Sequence, residues 1–215
     1  MENIDSIITI LKQETKSYIE PIVTKISKTR NPFKVLISCM LSLRTKDTVT
    51  AEASMRLFQL ADTPQKMLKL NVPDIEKSIY PVGFYKTKAK RIKEICRTLL
   101  DNYGGNTPDE IDELLKLKGV GRKTANLVIT LGYGKLGICV DTHVHRISNR
   151  LGLIETKTPK QTEFALRKIL PQKYWIIYND LLVTYGQNIC KPISPKCSEC
   201  KISEYCKKVG VKKFR

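Results

Sequence analysis

The sequence predicts an all-α protein, on three observations. A capping side chain stands directly before a proline at Asn31-Pro32, Thr63-Pro64, Thr107-Pro108 and Thr158-Pro159, the arrangement that opens a helix with its first free N–H satisfied and its first φ preset. Between these entries the apolar residues recur at helical spacing. No pair of alternating runs is joined by a hairpin turn. About ten short helices are expected, and helices this short need to pack their apolar faces into bundles to persist.

In chain order, Ile7, Ile8 and Leu11 mark a first helix, and Val35, Leu36, Cys39 and Met40 a buried one after Asn31-Pro32. Val82-Gly83-Phe84-Tyr85-Lys86 turns through a glycine into a Lys-rich helix whose apolar face is Ala89, Ile92, Ile95, Cys96 and Leu99. Lys86 to Lys93 read there equally well as a solvated face or as a contact surface. Thr107-Pro108-Asp109-Glu110 predicts a helix start with a complete capping box. Leu114, Leu115 and Leu117 then face Leu127, Val128 and Leu131 across a Gly119-Val120-Gly121 turn, which makes a compact helical hairpin. Beyond an extended apolar segment, Ile138 to Val140, Asp141 is placed to cap the helix that begins Thr142-His143-Val144.

At 215 residues the chain is long enough for one large domain or two small lobes, each with its own core. The 38 Lys and Arg against 21 Asp and Glu give +17, an excess that calls for a polyanionic partner, nucleic acid first. A membrane surface is disfavoured, because no basic block adjoins an apolar span and no apolar run approaches the ~20 residues a bilayer requires. Acids stand near the N-terminus where a signal peptide has bases, so the expected location is cytoplasmic, with no signal peptide. Seven cysteines in a reducing compartment favour metal ligation or buried thiols over disulfides. Cys39, Cys96 and Cys139 lie scattered in apolar surroundings. Cys190, Cys197, Cys200 and Cys206 are bunched in one short Pro-containing segment. Four thiolates suit zinc or an iron-sulfur cluster, and spacing alone leaves both open.

The chemistry gathers between Leu117 and Arg150. A glycine turn that delivers backbone N–H groups at a helix start binds phosphate, and Gly119, Val120, Gly121 and Arg122 form such a turn in a strongly basic chain. Lys123 follows directly. Free lysine is only ~0.04% neutral at pH 7, so a nucleophilic lysine needs a helix start, neighbouring cations and partial burial to disfavour its charge. Lys123 is placed for the first two and is a candidate for Schiff-base chemistry. Asp141 caps its helix, and an ionised carboxylate near a reacting sugar also stabilises an oxocarbenium-like centre. His143 and His145 lack a third ligand and do not make a metal site.

The runs LKGVGRKTANLVI (117–129) and VDTHVHRISNRLGL (140–153) resemble the helix-hairpin-helix and catalytic segment of the endonuclease III family of base-excision DNA glycosylases. NPFKVLISCMLSLRTKD (31–47), VGFYKTKAKRI (82–92) and the four terminal cysteines follow in the family's order, so the likeness covers nearly the whole chain. The resemblance implies a two-lobed fold: a helical barrel over 25–135 with the hairpin, and a second lobe from 1–24 and 136–215 with a C-terminal [4Fe-4S] cluster on Cys190, Cys197, Cys200 and Cys206. Double-stranded DNA with damaged bases or abasic sites would bind across the cleft, to a monomer acting at the nucleoid. Lys123 corresponds to the family's nucleophilic lysine and Asp141 to its catalytic aspartate. Lys191 and Lys196 in the cluster loop would meet phosphates, and His143 would border the lesion pocket or touch the backbone. Arg44 and Phe84 would line the gap left by the extruded nucleotide; the family commonly has glutamine and leucine there. The implied activity is a bifunctional glycosylase and abasic-site lyase for oxidised pyrimidines of the thymine glycol type. The alternatives are a monofunctional mismatch glycosylase, against which Lys123 argues, and a non-enzymatic DNA-binding protein with a zinc-bound tail.

Overall fold

The computed structural model describes residues 3–18, 22–27 and 30–215. Residues 1, 2 and 19–21 of one expected lobe, and 28 and 29 of the other, lie outside the described residues. Twelve α-helices and no strand are found among the described residues. They divide into two compact units, one of Met1–Pro21 with Leu136–Arg215 and one of Ile22–Lys135.

The Ile22–Lys135 unit contains α2 (Ile22–Ser27), α3 (Pro32–Ser42), α4 (Asp47–Leu60), α5 (Pro64–Lys69), α6 (Val72–Ile79), α7 (Tyr85–Tyr103), α8 (Ile111–Lys116) and α9 (Arg122–Leu127). Asn31 and Thr63 cap as their sequence demands, accepting from Lys34 N at 3.1 Å and Lys66 N at 3.2 Å. Asn71 does the same for α6, accepting from Asp74 N at 2.8 Å; its proline stands one position later, which hid it in the sequence. Almost all of α3 is buried, and Leu36, Ile37, Leu57, Met67, Ile75 and Leu99 fill the core. Each such side chain contributes about 1.5–3 kcal/mol by leaving water. Cys39 and Cys96 are fully buried here, and burial pushes both thiols up to about 12. They are packing residues with no thiolate chemistry at neutral pH.

Thr107 departs from expectation. The chain bends through Asp109 and Glu110, so α8 starts three residues later, with Glu110 at its cap position and no side-chain cap. Asp109 is drawn instead to Lys135, 2.7 Å away, and the Thr107 carbonyl accepts from the Tyr133 hydroxyl. The Thr107 hydroxyl is left buried without a partner.

The other unit packs α1 (Ile4–Thr15), α10 (Thr142–Leu151), α11 (Pro159–Ile169) and α12 (Trp175–Asn188) around one core. Ile7, Ile8 and Leu11 of α1 meet Tyr178, Leu182 and Tyr185 of α12 within that core. Thr158 and Gln161 form a reciprocal capping box at the start of α11. No helix among the described residues is long and apolar enough to cross a membrane.

The contrast between the two threonines can be measured. Thr158→Ala is expected to lose about 1 kcal/mol in urea unfolding. Thr107→Val, which removes an unpaired buried hydroxyl, is expected to be neutral or stabilising by up to about 1 kcal/mol. A loss at Thr107 equal to that at Thr158 would restore the capping role.

Candidate active site and iron-sulfur centre

The hairpin forms as its sequence requires. Leu114, Leu117, Leu127 and Val128 are buried, while Leu115 and Leu131 are half-buried. Val120 N donates to Leu117 O at 3.0 Å and Ala125 N to Gly121 O at 2.9 Å, so the turn runs directly into α9. Gly119 adopts φ +86°, which a side chain tolerates poorly. Gly121 is extended and exposed, and a Cβ there would meet nothing within 4 Å. Arg122 and Lys123 are the first two residues of α9 and are half-buried. Lys123 lies close enough to the buried Cys39 of α3 to act on its thiol electrostatically. After Leu127 the helix widens into a π-turn, Val128–Gly132, where a single α-helix was expected. Such turns are frequent at functional sites.

Two loops of the same unit adjoin. Arg44 and Phe84 both adopt left-handed backbone, φ +56° and +60°, an uncommon state for bulky residues. Phe84 is 61% exposed, so it is no core aromatic. The Arg44 guanidinium lies 5.0 Å from the centre of its ring. Gly83 N donates to Thr45 Oγ1 at 3.2 Å.

The Lys-rich helix α7 is not simply a solvated face. Lys88 is buried, and its ammonium donates to Leu41 O at 2.8 Å, Leu43 O at 2.6 Å and Thr45 Oγ1 at 3.2 Å. Burial pulls this amine down to about 8, while three oxygens aimed at its three N–H bonds favour the charged form. Lys93 likewise donates to Leu68 O at 3.1 Å and to Leu70 O. Sequence reading missed both. The available signal was that Lys88 stands one helical turn before Ile92, in line with the apolar face.

In the other unit, Asp141 is the N-cap of α10, accepting from His143 N and Val144 N, both at 2.9 Å. Both bonds use Oδ1, which leaves Oδ2 outside the cap. His143 Nδ1 lies 3.1 Å from Arg146 Nη2, and an arginine can only donate, so Nδ1 accepts and the proton of a neutral ring sits on Nε2. His145 turns instead to Thr162 Oγ1 at 2.7 Å. The two histidines therefore serve different partners.

Arg146 and Arg150, on the same helix, hold the cysteine segment. Arg146 Nη2 donates to Cys190 O at 2.7 Å. Arg150 donates to Lys191 O and Pro192 O at 2.7 Å each and reaches Cys190 Sγ at 3.4 Å. The four thiols line one apolar cavity walled by Ile147, Leu151, Ile189, Ile202 and Val211. Tyr185 donates its hydroxyl to Cys200 Sγ at 3.2 Å, and Lys208 N donates to Cys206 Sγ at 3.4 Å. Burial, followed by the neighbouring cysteines, pushes the Cys197 thiol up; burial does the same at Cys206. Four thiolates in this cavity need a cationic group among them. Thiolate is the ligand of both zinc and iron-sulfur clusters, and an apolar wall around all four sulfurs suits either. In the loop between the first two ligands Lys191 is half-exposed, and Lys196 pairs with Glu199 at 3.0 Å.

Residues 37–172 match the model of the HhH-GPD superfamily base excision DNA repair protein, and residues 190–206 match the iron-sulfur binding domain of endonuclease III. The chain belongs to this superfamily. It is 50% identical over 179 residues to endonuclease III of Thermotoga maritima, covering 83% of this chain and 84% of that one. A non-covalent endonuclease III–DNA complex superposes with a TM-score of 0.85 at 34% identity, covering 96% of this chain and 95% of that one. A trapped endonuclease III–DNA covalent intermediate gives 0.78 at 35% identity, covering 87% and 93%. The fold is thus the helix-hairpin-helix glycosylase fold, and Cys190, Cys197, Cys200 and Cys206 are the thiols that fit its [4Fe-4S] cluster.

Arg150→Met removes three donors from the cysteine segment. It is expected to lower iron per protein chain by at least about half, measured after gel filtration. Full iron content in the variant would show that the loop holds its shape without Arg150.

Proposed function

We infer that this chain is a bifunctional DNA glycosylase and abasic-site lyase whose substrates are oxidised pyrimidines of the thymine glycol type. The observation that carries the reading is Lys123, half-buried in the first turn after the glycine hairpin, in a chain similar to an endonuclease III captured covalently on DNA.

In this mechanism the neutral Lys123 Nζ bonds to C1′ of the extruded nucleotide, and the N-glycosidic bond breaks with its electrons leaving on the base. Proton loss from nitrogen and opening of the sugar ring give a Schiff base. Removal of a C2′ proton then expels the 3′ phosphate by β-elimination. Asp141 supports the developing positive charge through the carboxylate oxygen that its cap leaves over. The cap fixes the side chain's rotamer, so the oxygen is presented without further ordering.

Residues 25–135 serve as the barrel lobe with the hairpin, and residues 1–24 and 136–215 as the cluster lobe. Gly119, Val120, Gly121 and Arg122 grip the phosphate backbone, which the bare, exposed Gly121 allows to approach closely. The [4Fe-4S] cluster supplies a rigid cross-link of residues 190–206 and holds the loop on which Lys191 faces phosphate. Lys196 joins it by exchanging Glu199 for DNA, a small cost for an exposed pair. His143 borders the extruded nucleotide, and Arg44 and Phe84 fill the space it vacates. The enzyme acts as a monomer, in the cytoplasm at the nucleoid.

Borohydride reduction in the presence of a thymine glycol duplex is expected to trap a covalent complex. Lys123→Gln abolishes it; undiminished trapping by that variant, or release of a normal mispaired base without strand cleavage, would overturn the assignment. Asp141→Asn keeps a cap acceptor, so its melting temperature is expected to hold within about 2 °C, while single-turnover excision falls by roughly 100-fold or more. Full activity in this variant would reduce Asp141 to a cap.

A further inference from the structure

We propose that Lys88 is a positioning residue for nucleotide extrusion, holding the Arg44 and Phe84 loops together as one preformed wedge. The proposal rests on the reading that these two side chains fill the gap in the duplex.

The geometry is specific to that task. Lys88 comes from α7, the helix that Phe84 caps, and its ammonium reaches across to the end of α3 and the loop beyond it. Its three N–H bonds meet Leu41 O, Leu43 O and Thr45 Oγ1, which bracket Arg44 on both sides. Thr45 Oγ1 also accepts from Gly83 N, next to Phe84. A single hydroxyl therefore joins the two loops, and Lys88 holds that hydroxyl. Gly83 completes the closure: a Cβ there would stand 2.7 Å from the Arg44 carbonyl oxygen, inside any tolerable contact.

This bracing answers a problem the exposed residues create. Arg44 and Phe84 both carry left-handed backbone and both project into solvent. Left to themselves they would relax to commoner conformations. Stacked on each other and pinned from beneath, they meet the duplex already ordered, so the ordering is not charged to extrusion. A lysine that served packing alone would have no reason to hold the one hydroxyl that both loops share. Residues that pin a strained element are expected to affect the step that element performs more than the chemistry that follows.

The test compares two duplexes under single-turnover conditions with the cluster-loaded full chain. One carries thymine glycol fully paired; the other carries it opposite a one-nucleotide gap, where no partner base has to be displaced. A 2-aminopurine beside the lesion reports unstacking by fluorescence. Lys88→Met is expected to slow excision from the paired duplex by roughly 10-fold or more, with the fluorescence rise delayed in parallel, and to stay within about 3-fold on the gapped duplex. Gly83→Ala, which leaves Lys88 intact and forces the loops apart, is expected to give the same split if Lys88→Met fails to fold. Equal losses on both duplexes, or no loss on either, would overturn the proposal. Phe84→Ala tests the underlying reading independently: if it does not separate the two duplexes, the wedge itself is wrong, whereas a split for Phe84→Ala without one for Lys88→Met or Gly83→Ala rejects only the bracing role.

Discussion

The closing of helix C-termini by lysine and arginine side chains is the constraint on which the rest of this structure depends. Every α-helix ends in four carbonyls without partners, and a protein of many short helices has many such ends. Buried and unpaired, each costs about 1–3 kcal/mol; met by a charged donor, each contact contributes about 1.5–3 kcal/mol instead. Lys88 closes α3, Lys93 closes α5, Arg56 closes α6 through Ser78 O at 2.8 Å, and Arg146 reaches Gly186 O at 3.4 Å near the end of α12. The cations also suit the negative end of the helix dipole.

This changes what the +17 charge means. The excess was read as a surface property that attracts a polyanion, and the family assignment upholds that reading. Yet Lys88 is an internal fastener, buried and hydrogen-bonded to the chain, and Lys116 and Lys135 are engaged by carboxylates. The residues that remain for DNA are fewer and better placed than composition implies. The same fastening fixes two loops. Where α3 ends, the Arg44 loop begins; where α12 ends, Cys190 begins the cysteine segment. At both places a cation on a neighbouring helix fixes the carbonyls and, through them, the loop that follows.

Most helix starts were legible because their physics is local. Asn31, Thr63 and Thr158 each satisfy an N–H three residues on, next to a proline that presets φ, and nothing distant competes. Thr107 has the same letters and a different outcome, because Lys135 pulls Asp109 out of the would-be first turn. That partner stands twenty-six residues away and no local pattern contains it. The partners of Lys88 were illegible for the same reason: they lie more than forty residues back, on a helix whose end could not be located from spacing and in the loop beyond it. Asp141 was legible as a cap, since capping is a property of one side chain at one helix start. The π-turn at Val128–Gly132 has no local signature in those residues; it fits the close contact of Gly132 with Pro32, where a Cβ would stand 3.0 Å from Pro32 Cα.

The two glycines of the hairpin show what the structure adds where the sequence treats residues alike. Gly119 is required by the chain itself, since its φ of +86° excludes ordinary side chains and the Arg91 side chain lies 3.2 Å from any Cβ placed there. Gly121 is required by nothing in the chain. Its backbone is extended, it stands at a cap position where serine or threonine serves at least as well, and the space beside it is open. Under the proposed function, a bare position that folding does not demand, at a helix start two residues before the lysine, serves the approach of a phosphate oxygen. On that reading folding and function divide the motif between them: one glycine makes the turn, and the other keeps its surface clear for the ligand.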